Sequence, residues 1–475
     1  IGDGAATGGL SYEGLNDAGA SGEPLIVILN DNGMSIDPNV GGISKHLSQL
    51  RLRPGYYNFK RWYHAFLEKL PGGKAVYSFI HRVKTNIKKT IYHCSMFEDM
   101  GFSYLGPVDG HNVEQLTNTL AWAKEINGPV LVHVHTQKGH GYAPAENRPE
   151  RCHGVSPFDP QKGPAIGQSE DFSAVFGREL TELARGDQRI CAITAAMGDG
   201  TGLQEFAQNH RERFFDVGIA EGHAVAMAAG MAKQGMIPVF AVYSSFLQRG
   251  FDMLIHDVAL QRLHVILGVD RSGLVGADGA THHGVQDVGY LTQIPGMTVL
   301  CPASFEQLRS MLRAAVHINT DGPVAIRYPR GKEGHPHPAW DGSPATVLRQ
   351  GTDITMVSYG VMLDELLTAA DILEKHGIQA EVIQLNRIAP LNAEVVLDSV
   401  RRTWRLLVLE DCFETGCIGQ QLSAELARAG IAPRDLILKN LRRRFVGQGT
   451  VSQLRAEADI DSAAVVASVL EVCHE

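Results

Sequence analysis

Two short stretches carry the side chains a hard cation needs. One is Gly2-Asp3-Gly4; the other is Asn30-Asp31-Asn32, which places Asn32 twenty-nine residues after Asp3. A carboxylate and an amide oxygen suit Mg²⁺, which takes about six oxygens at roughly 2.1 Å, and phosphate oxygens can complete the shell. Gly4 allows close backbone approach, and a helix is expected to start near Thr7–Ser11. A diphosphate fits on such a helix N-terminus. The same residues also read as a tight turn followed by an Asn-rich hairpin. A dinucleotide reading of the glycines is weaker, because no acidic residue ends the second strand about 20 residues on.

The elements that would position these groups are short apolar runs. Pro24-Leu-Ile-Val-Ile-Leu29 and Pro129-Val-Leu-Val-His-Val134 are typical of buried parallel strands. With Asn32 at the end of the first run, both loops fall at the carboxyl ends of neighbouring strands, where open sheets bind ligands. Further strands are expected at Arg189–Thr194, Phe215–Ile219, Ile237–Val242, His264–Val269, Thr298–Cys301 and Val324–Tyr328, alternating with helices. Phe172, Val175, Phe176, Leu180 and Leu183 fall at helical spacing and open this series as an amphipathic helix. A third series has strands at residues 354–358, 380–384 and 405–410. Alternation of this kind means parallel sheets with right-handed crossovers. The expectation is an α/β chain of three open parallel-sheet domains, at 1–165, 171–335 and 348–475, joined by Pro/Gly-rich stretches at 155–170 and 331–344.

The composition agrees. At roughly 150 residues per domain, 475 residues give about three domains. With 44% apolar and 20% charged residues the chain can bury real cores, which excludes wholesale disorder and a collagen-like chain. A net charge of -9 argues against nucleic acid as a partner. No apolar run reaches the roughly 18 residues of a membrane span. Seven cysteines without a Cys-x-x-Cys pair fit a reducing compartment, so a cytoplasmic location is expected. Residues 51–90 hold ten Lys/Arg and one acid among several aromatics. They read as a solvated excursion, with a lid over an anionic ligand as the functional alternative.

On these residues the chain resembles the transketolase-like, thiamine-diphosphate-dependent enzymes. Within them it resembles the 1-deoxy-D-xylulose-5-phosphate synthase family. The resemblance is carried by Gly2-Asp3-Gly4 with Asn30-Asp31-Asn32 and by Val27-Ile-Leu-Asn-Asp-Asn-Gly-Met-Ser-Ile36. It extends through Tyr104-Leu-Gly-Pro-Val-Asp-Gly-His111, Lys138-Gly-His-Gly-Tyr142 and Phe215-Asp-Val-Gly-Ile-Ala-Glu-Gly-His223. Tyr243-Ser-Ser-Phe-Leu-Gln-Arg249, Asp270-Arg-Ser-Gly-Leu-Val-Gly-Ala-Asp278 and Arg327-Tyr-Pro-Arg-Gly331 complete it, in the family's order along nearly the whole chain.

The resemblance implies a transferase that condenses pyruvate with D-glyceraldehyde 3-phosphate, with loss of CO₂, through an enamine on thiamine diphosphate. That reaction opens the non-mevalonate isoprenoid pathway. It implies Mg²⁺ held by Asp3, Asn32 and the Met34 carbonyl. It assigns the cofactor to Gly4, Ala5, Asn32, Tyr142, Glu221 and Phe246. Glu221 would hydrogen-bond the pyrimidine ring; without the resemblance, a Glu at a helix start reads as a dipole-matching residue. Tyr243 and Arg249 are expected near the reacting carbons, His282 with Asp278 as a proton shuttle or hydrogen-bond donor to the substrate oxygens, and Arg271 and Arg330 on the substrate phosphate. Guanidinium groups suit both anionic substrates because they fork onto carboxylate or phosphate. His153 matches a family histidine at the rim of the first domain. His133 and His135 alternate on one strand face but lack a third zinc ligand at suitable spacing, and are read as structural. Gly222, His283 and Val285-Gln286 depart from the family pattern.

The resemblance also implies a homodimer, with each cofactor between the first and second domains of one chain. Roughly the family's first quarter precedes Gly2, and the chain opens on Ile1. The expectation is therefore that it starts inside a domain and that this piece alone is weak or inactive. The rival readings are another transketolase-like enzyme, such as transketolase or a 2-oxo-acid dehydrogenase E1 component, and a non-catalytic remnant that keeps the fold.

Overall fold

The computed structural model describes residues 1–35, 38–51, 96–153, 155, 158–163, 170–317 and 322–473. The basic stretch lies outside the described residues from position 52 to 90, and so does much of the stretch at 155–170.

The described strands form three sheets, within two compact units. The first unit is Ile1–Gly167 with Gly218–Ala220; the second is Gln168–Val217 with Glu221–Glu475. In the first unit, β1 (Ile26–Asp31), β2 (Ser103–Asp109) and β3 (Val130–His135) pair in parallel in the order β1-β3-β2. One face of this sheet is covered by Leu15, Leu47, Phe97 and Phe102. The other holds Leu105, Val108, Val130 and Val132 with Ala123.

The second unit has a sheet of seven strands: β4 (Ile190–Thr194), β5 (Phe214–Asp216), β6 (Ile237–Tyr243), β7 (Ile266–Asp270), β8 (Thr298–Leu300), β9 (Val324–Arg327) and, further along the chain, β13 (Arg387–Ala389). Their order is β13-β8-β9-β7-β6-β4-β5. Strands β4, β6, β7 and β9 are buried along their whole length, as expected where a parallel sheet is covered on both faces. The helix Phe172–Gly186 supplies part of one cover. Its stripe Phe172, Val175, Phe176 and Leu180 is buried, and Asp171 caps it by accepting from Ala174 N at 2.8 Å. Loss of such a cap costs about 1 kcal/mol.

The second unit's other sheet contains β10 (Ala345–Arg349), β11 (Ile354–Ser358), β12 (Ala380–Leu385), β14 (Arg405–Leu409) and β15 (Asp435–Lys439), in the order β10-β12-β11-β14-β15. Two strands depart from the all-parallel expectation: β10 runs antiparallel to β12, and β13 antiparallel to β8. Both are edge strands, which need no covered crossover and so are free to reverse direction. After β12 the chain crosses through Asn386 into β13, which adds to the seven-stranded sheet. Residues after 343 and before 335 are thus stitched into one unit. Their apolar core is also continuous: Leu274, Val285 and Ala303 pack in the cluster that holds Ile354, Met356 and Leu363.

A buried charge network crosses the same seam. Arg327, 5% exposed, donates from Nε to Asp287 Oδ2 at 2.9 Å and from Nη2 to Asp411 Oδ1 at 3.1 Å. One guanidinium thereby compensates two carboxylates that are almost wholly out of water. Replacing Arg327 by Met is expected to leave both uncompensated and to cost about 3–5 kcal/mol. Urea unfolding of the two proteins measures this; an unchanged midpoint would show that the network contributes nothing.

Candidate active site

The site residues follow from where strands end. In the first unit, Ile1 and Gly2 run parallel to the end of β1: Asn30 N donates to Ile1 O at 2.8 Å, and Asp3 N to Asn30 O at 3.0 Å. Asp3 therefore leaves this edge beside the Asn32 loop. Its carboxylate accepts from Gly33 N at 2.7 Å and from the Asn32 backbone N–H. Asn32 Oδ1 accepts from Met34 N at 2.9 Å, closing a tight turn through Gly33. A Cβ built on Gly4 would stand 2.8 Å from Ser35 Cβ, so the two loops meet only because residue 4 has no side chain. Ala5 opens the turn Ala5–Thr7, ahead of the helix Gly9–Ser21.

Asp31, which the sequence does not mark as a site residue, belongs to the same cluster. It is fully buried and in contact with Asp3. Burial first, then the neighbouring Asp31, raise the Asp3 carboxyl to about 6, against the two backbone donors. Behind it Asp31 Oδ2 lies 2.9 Å from His133 Nε2, and His133 Nδ1 lies 2.6 Å from Tyr104 Oη. This chain of contacts crosses β1, β3 and β2 in their order in the sheet. His133 is thus held inside the sheet. No group of three His, Cys, Asp or Glu able to hold a metal occurs among the described residues. Lys138 Nζ donates to Ser35 O at 2.5 Å and lies 3.2 Å from His153 Nδ1, tying His153 to the Asn32 loop. Tyr142 donates its hydroxyl to Pro160 O at 2.9 Å. No hydrogen bond links Tyr142 to Asp3, Asn32 or Met34 among the described residues.

In the second unit, Tyr243 ends β6, Arg271 follows β7 and Arg330 follows β9. These three strands are neighbours in the sheet, so their ends lie side by side. Arg271 Cζ lies 3.8 Å from the Tyr243 ring centroid. Tyr243 stacks on Phe246 at 5.6 Å, and Phe246 meets the His282 ring edge-on at 5.3 Å. Arg249 Cζ is 5.3 Å from the Phe246 centroid, and its Nη1 reaches Glu221 Oε1 at 2.5 Å. Glu221 opens the helix Glu221–Lys233 and is 2% exposed. Arg330 Nη1 binds Asp278 Oδ2 at 2.5 Å. Eight of the predicted residues are thereby linked through rings and ion pairs in two groups, Glu221–Arg249–Phe246–Tyr243–Arg271 with His282 being one run, and Asp278–Arg330 a pair beside it.

The electrostatics join the two groups. Burial lowers the His282 pKa below its ordinary 6.5; Arg271 and Arg330 push the same way, against Asp278. The neutral imidazole is thus favoured near pH 7. Burial pushes the Tyr243 phenol up to about 12, opposed by Arg271, so it stays a donor. Two departures from the family pattern also find a physical place. His283 accepts from Val275 N at 3.1 Å with Nδ1, and its Nε2 lies 2.9 Å from Gly447 O. Gly222 faces Met253, whose Cε would lie 2.8 Å from an added Cβ.

Comparison with known proteins first gives the class. Residues 168–334 match the transketolase pyrimidine binding domain, and residues 343–465 the transketolase C-terminal domain. The fold agrees with a solved transketolase from Campylobacter jejuni, at TM-score 0.52 and 16% identity, over 99% of this chain and 76% of that one. A second solved chain, described as a split gene transketolase in an inactive beta4 tetramer, aligns at TM-score 0.57 and 27% identity over 65% of this chain and 99% of its own. The chain has the transketolase-like α/β fold and is of the transferase class that uses thiamine diphosphate.

Residues 1–136 match the family described as 1-deoxy-D-xylulose-5-phosphate synthase. Proteins of that name from Clostridium kluyveri and Desulforudis audaxviator are each 44% identical, over 99% and 96% of this chain. The chain spans 76% and 73% of their lengths. It belongs to the 1-deoxy-D-xylulose-5-phosphate synthase family.

Gly200 tests the Tyr243–Arg271 stack. A Cβ there would stand 1.8 Å from Tyr243 Oη, so Gly200→Ala must move the ring. Turnover is expected to fall by about 10- to 100-fold, since misplacement by about 1 Å is worth that much. Steady-state rates and circular dichroism check it; full activity with an intact fold would show the stack is dispensable.

Proposed function

We propose that this chain forms 1-deoxy-D-xylulose 5-phosphate from pyruvate and D-glyceraldehyde 3-phosphate, as a homodimer acting in the cytoplasm. The observation that carries the reading is the run from Glu221 to Arg271, with His282 on Phe246. It links a buried carboxylate, a flat ring, an imidazole and a guanidinium, the groups the reading needs, in one connected group.

Each unit, taken by itself, holds residues that suit one part of the implied cofactor. Asp3 and Asp31 are two carboxylates packed together out of water, an arrangement that a divalent cation relieves. Asp3, the Asn32 side-chain oxygen and the Met34 carbonyl would hold Mg²⁺, and Gly4 and Ala5 would face the diphosphate. Tyr142 belongs to the same assignment through the family likeness alone. Glu221 and Phe246 would hold the pyrimidine ring. When bound, thiamine diphosphate supplies the carbanion equivalent that neither substrate provides.

The chain's own groups then do four things. Glu221, fixed at Oε1 by Arg249, keeps Oε2 for the ring nitrogen. Phe246 excludes water and gives that ring a flat apolar floor. His282, neutral and held through Nδ1 by Thr281 Oγ1 at 2.9 Å, has Nε2 left to exchange a proton with substrate oxygens. Arg271 and Arg330 bind the phosphate, and Asp278 restrains Arg330 against solvent. Tyr243 donates its hydroxyl while supporting Arg271 from below.

Glu221→Gln in the complete enzyme is expected to lower turnover by about 10²- to 10⁴-fold without unfolding it. Product analysis by mass after incubation with both substrates measures this. Wild-type turnover in the variant, or a product of a different mass from the unaltered enzyme, would overturn the assignment.

A further inference from the structure

Arg271 is held in an unusual way. Its backbone is left-handed, with φ +58°, a conformation that residues with a side chain seldom adopt. Its guanidinium is committed on one side only: Nη1 donates to Gly200 O at 2.7 Å and lies 3.1 Å from Asp270 Oδ2. No hydrogen bond of Nε or Nη2 is found among the described residues. Those two nitrogens form the fork that an anion would use.

The group that fixes this pose is Asp270, the last residue of β7, fully buried. Its Oδ1 accepts from Arg271 N at 2.6 Å, which pins the left-handed backbone. Its Oδ2 faces Arg271 Nη1 and also accepts from Ser173 Oγ at 2.7 Å. Ser173 stands in the first turn of the helix Phe172–Gly186. In the same turn Phe172 N donates to Gly331 O at 3.0 Å, next to Arg330. One helix end thus braces the loops of both arginines. A carboxylate in this position holds the backbone and one nitrogen, and leaves the opposite edge of the guanidinium open.

We propose that Asp270, supported by Ser173, is a positioning residue that aims Arg271 at the phosphate of the aldehyde acceptor. This rests on the reading of Arg271 as a phosphate-binding group. Asp270 touches no substrate; it acts by fixing where the fork points. Burial opposes the charge on Arg271 most strongly, but Asp270, Tyr243 and Asp278 together outweigh it, so the guanidinium stays cationic in a place that water barely reaches.

The test compares D-glyceraldehyde 3-phosphate with unphosphorylated D-glyceraldehyde as acceptors for the complete holoenzyme. Asp270→Asn keeps the shape and removes the charge. It is expected to raise KM for the phosphorylated acceptor about tenfold, with kcat, KM for pyruvate and the reaction of D-glyceraldehyde within about threefold of the unaltered enzyme. Ser173→Ala should act in the same direction by about two- to threefold, and it carries the test if Asp270→Asn fails to fold. Equal losses on both acceptors, or a fall in kcat at unchanged KM, would mark Asp270 as a general structural residue and overturn the proposal. Arg271→Ala separates the two layers. If it abolishes discrimination between the acceptors and Asp270→Asn leaves discrimination unchanged, the positioning role alone is wrong. If neither variant affects discrimination, Arg271 is not the phosphate anchor and both readings fall.

Discussion

Register between parallel strands is the constraint on which the second unit's site depends. Strands β6 and β7 pair so that Tyr243 lies opposite Asp270. Arg271, one residue further, therefore comes down beside the tyrosine ring and not away from it. Because successive side chains on a strand point to opposite faces, a slip of one residue would turn the whole set over. The slip is prevented by the core: Val239, Ala241, Ile266 and Ile326 belong to one buried cluster with the helix Phe172–Gly186. Packing well away from these side chains thus decides where they stand.

Charge compensation is the second theme, and the two units solve it differently. In the second unit each buried acid of the network has a cation: Arg327 serves Asp287 and Asp411, and Arg271 serves Asp270. In the first unit Asp3 and Asp31 lie against each other, and their described contacts include backbone donors and one imidazole. Two acids packed together in a dry place are costly for a structural purpose but suit a ligand site.

Much of this was legible in the sequence, and the exceptions have reasons. The buried central strands read clearly because their apolar runs are uninterrupted, as in Ile237–Tyr243 and Ile266–Asp270. Strand Ser103–Asp109 did not, because Gly106-Pro107 breaks the run and the register with β3 shifts between Leu105 and Val108. Asp435–Lys439 did not either; it is an edge strand, half-buried, with a charge at each end. Among site residues, type and place were legible: an Arg or Tyr just past a strand end. Partnership was not. Nothing along the chain joins Arg249 to Glu221, or Asp31 to His133 more than a hundred positions away, because such pairs form only when separate elements are brought together.

The bond between His283 and the Gly447 carbonyl has an evolutionary side. The loop bearing Asp278 and His282 is fastened, through its next residue, to a turn more than 160 positions later. Gln448 repeats the attachment by donating to Ala277 O at 2.6 Å. The last quarter of the chain is therefore not an interchangeable module. A chimera that takes this quarter from a relative with a different residue at 283 inherits a mismatched fastening at the loop bearing Asp278 and His282.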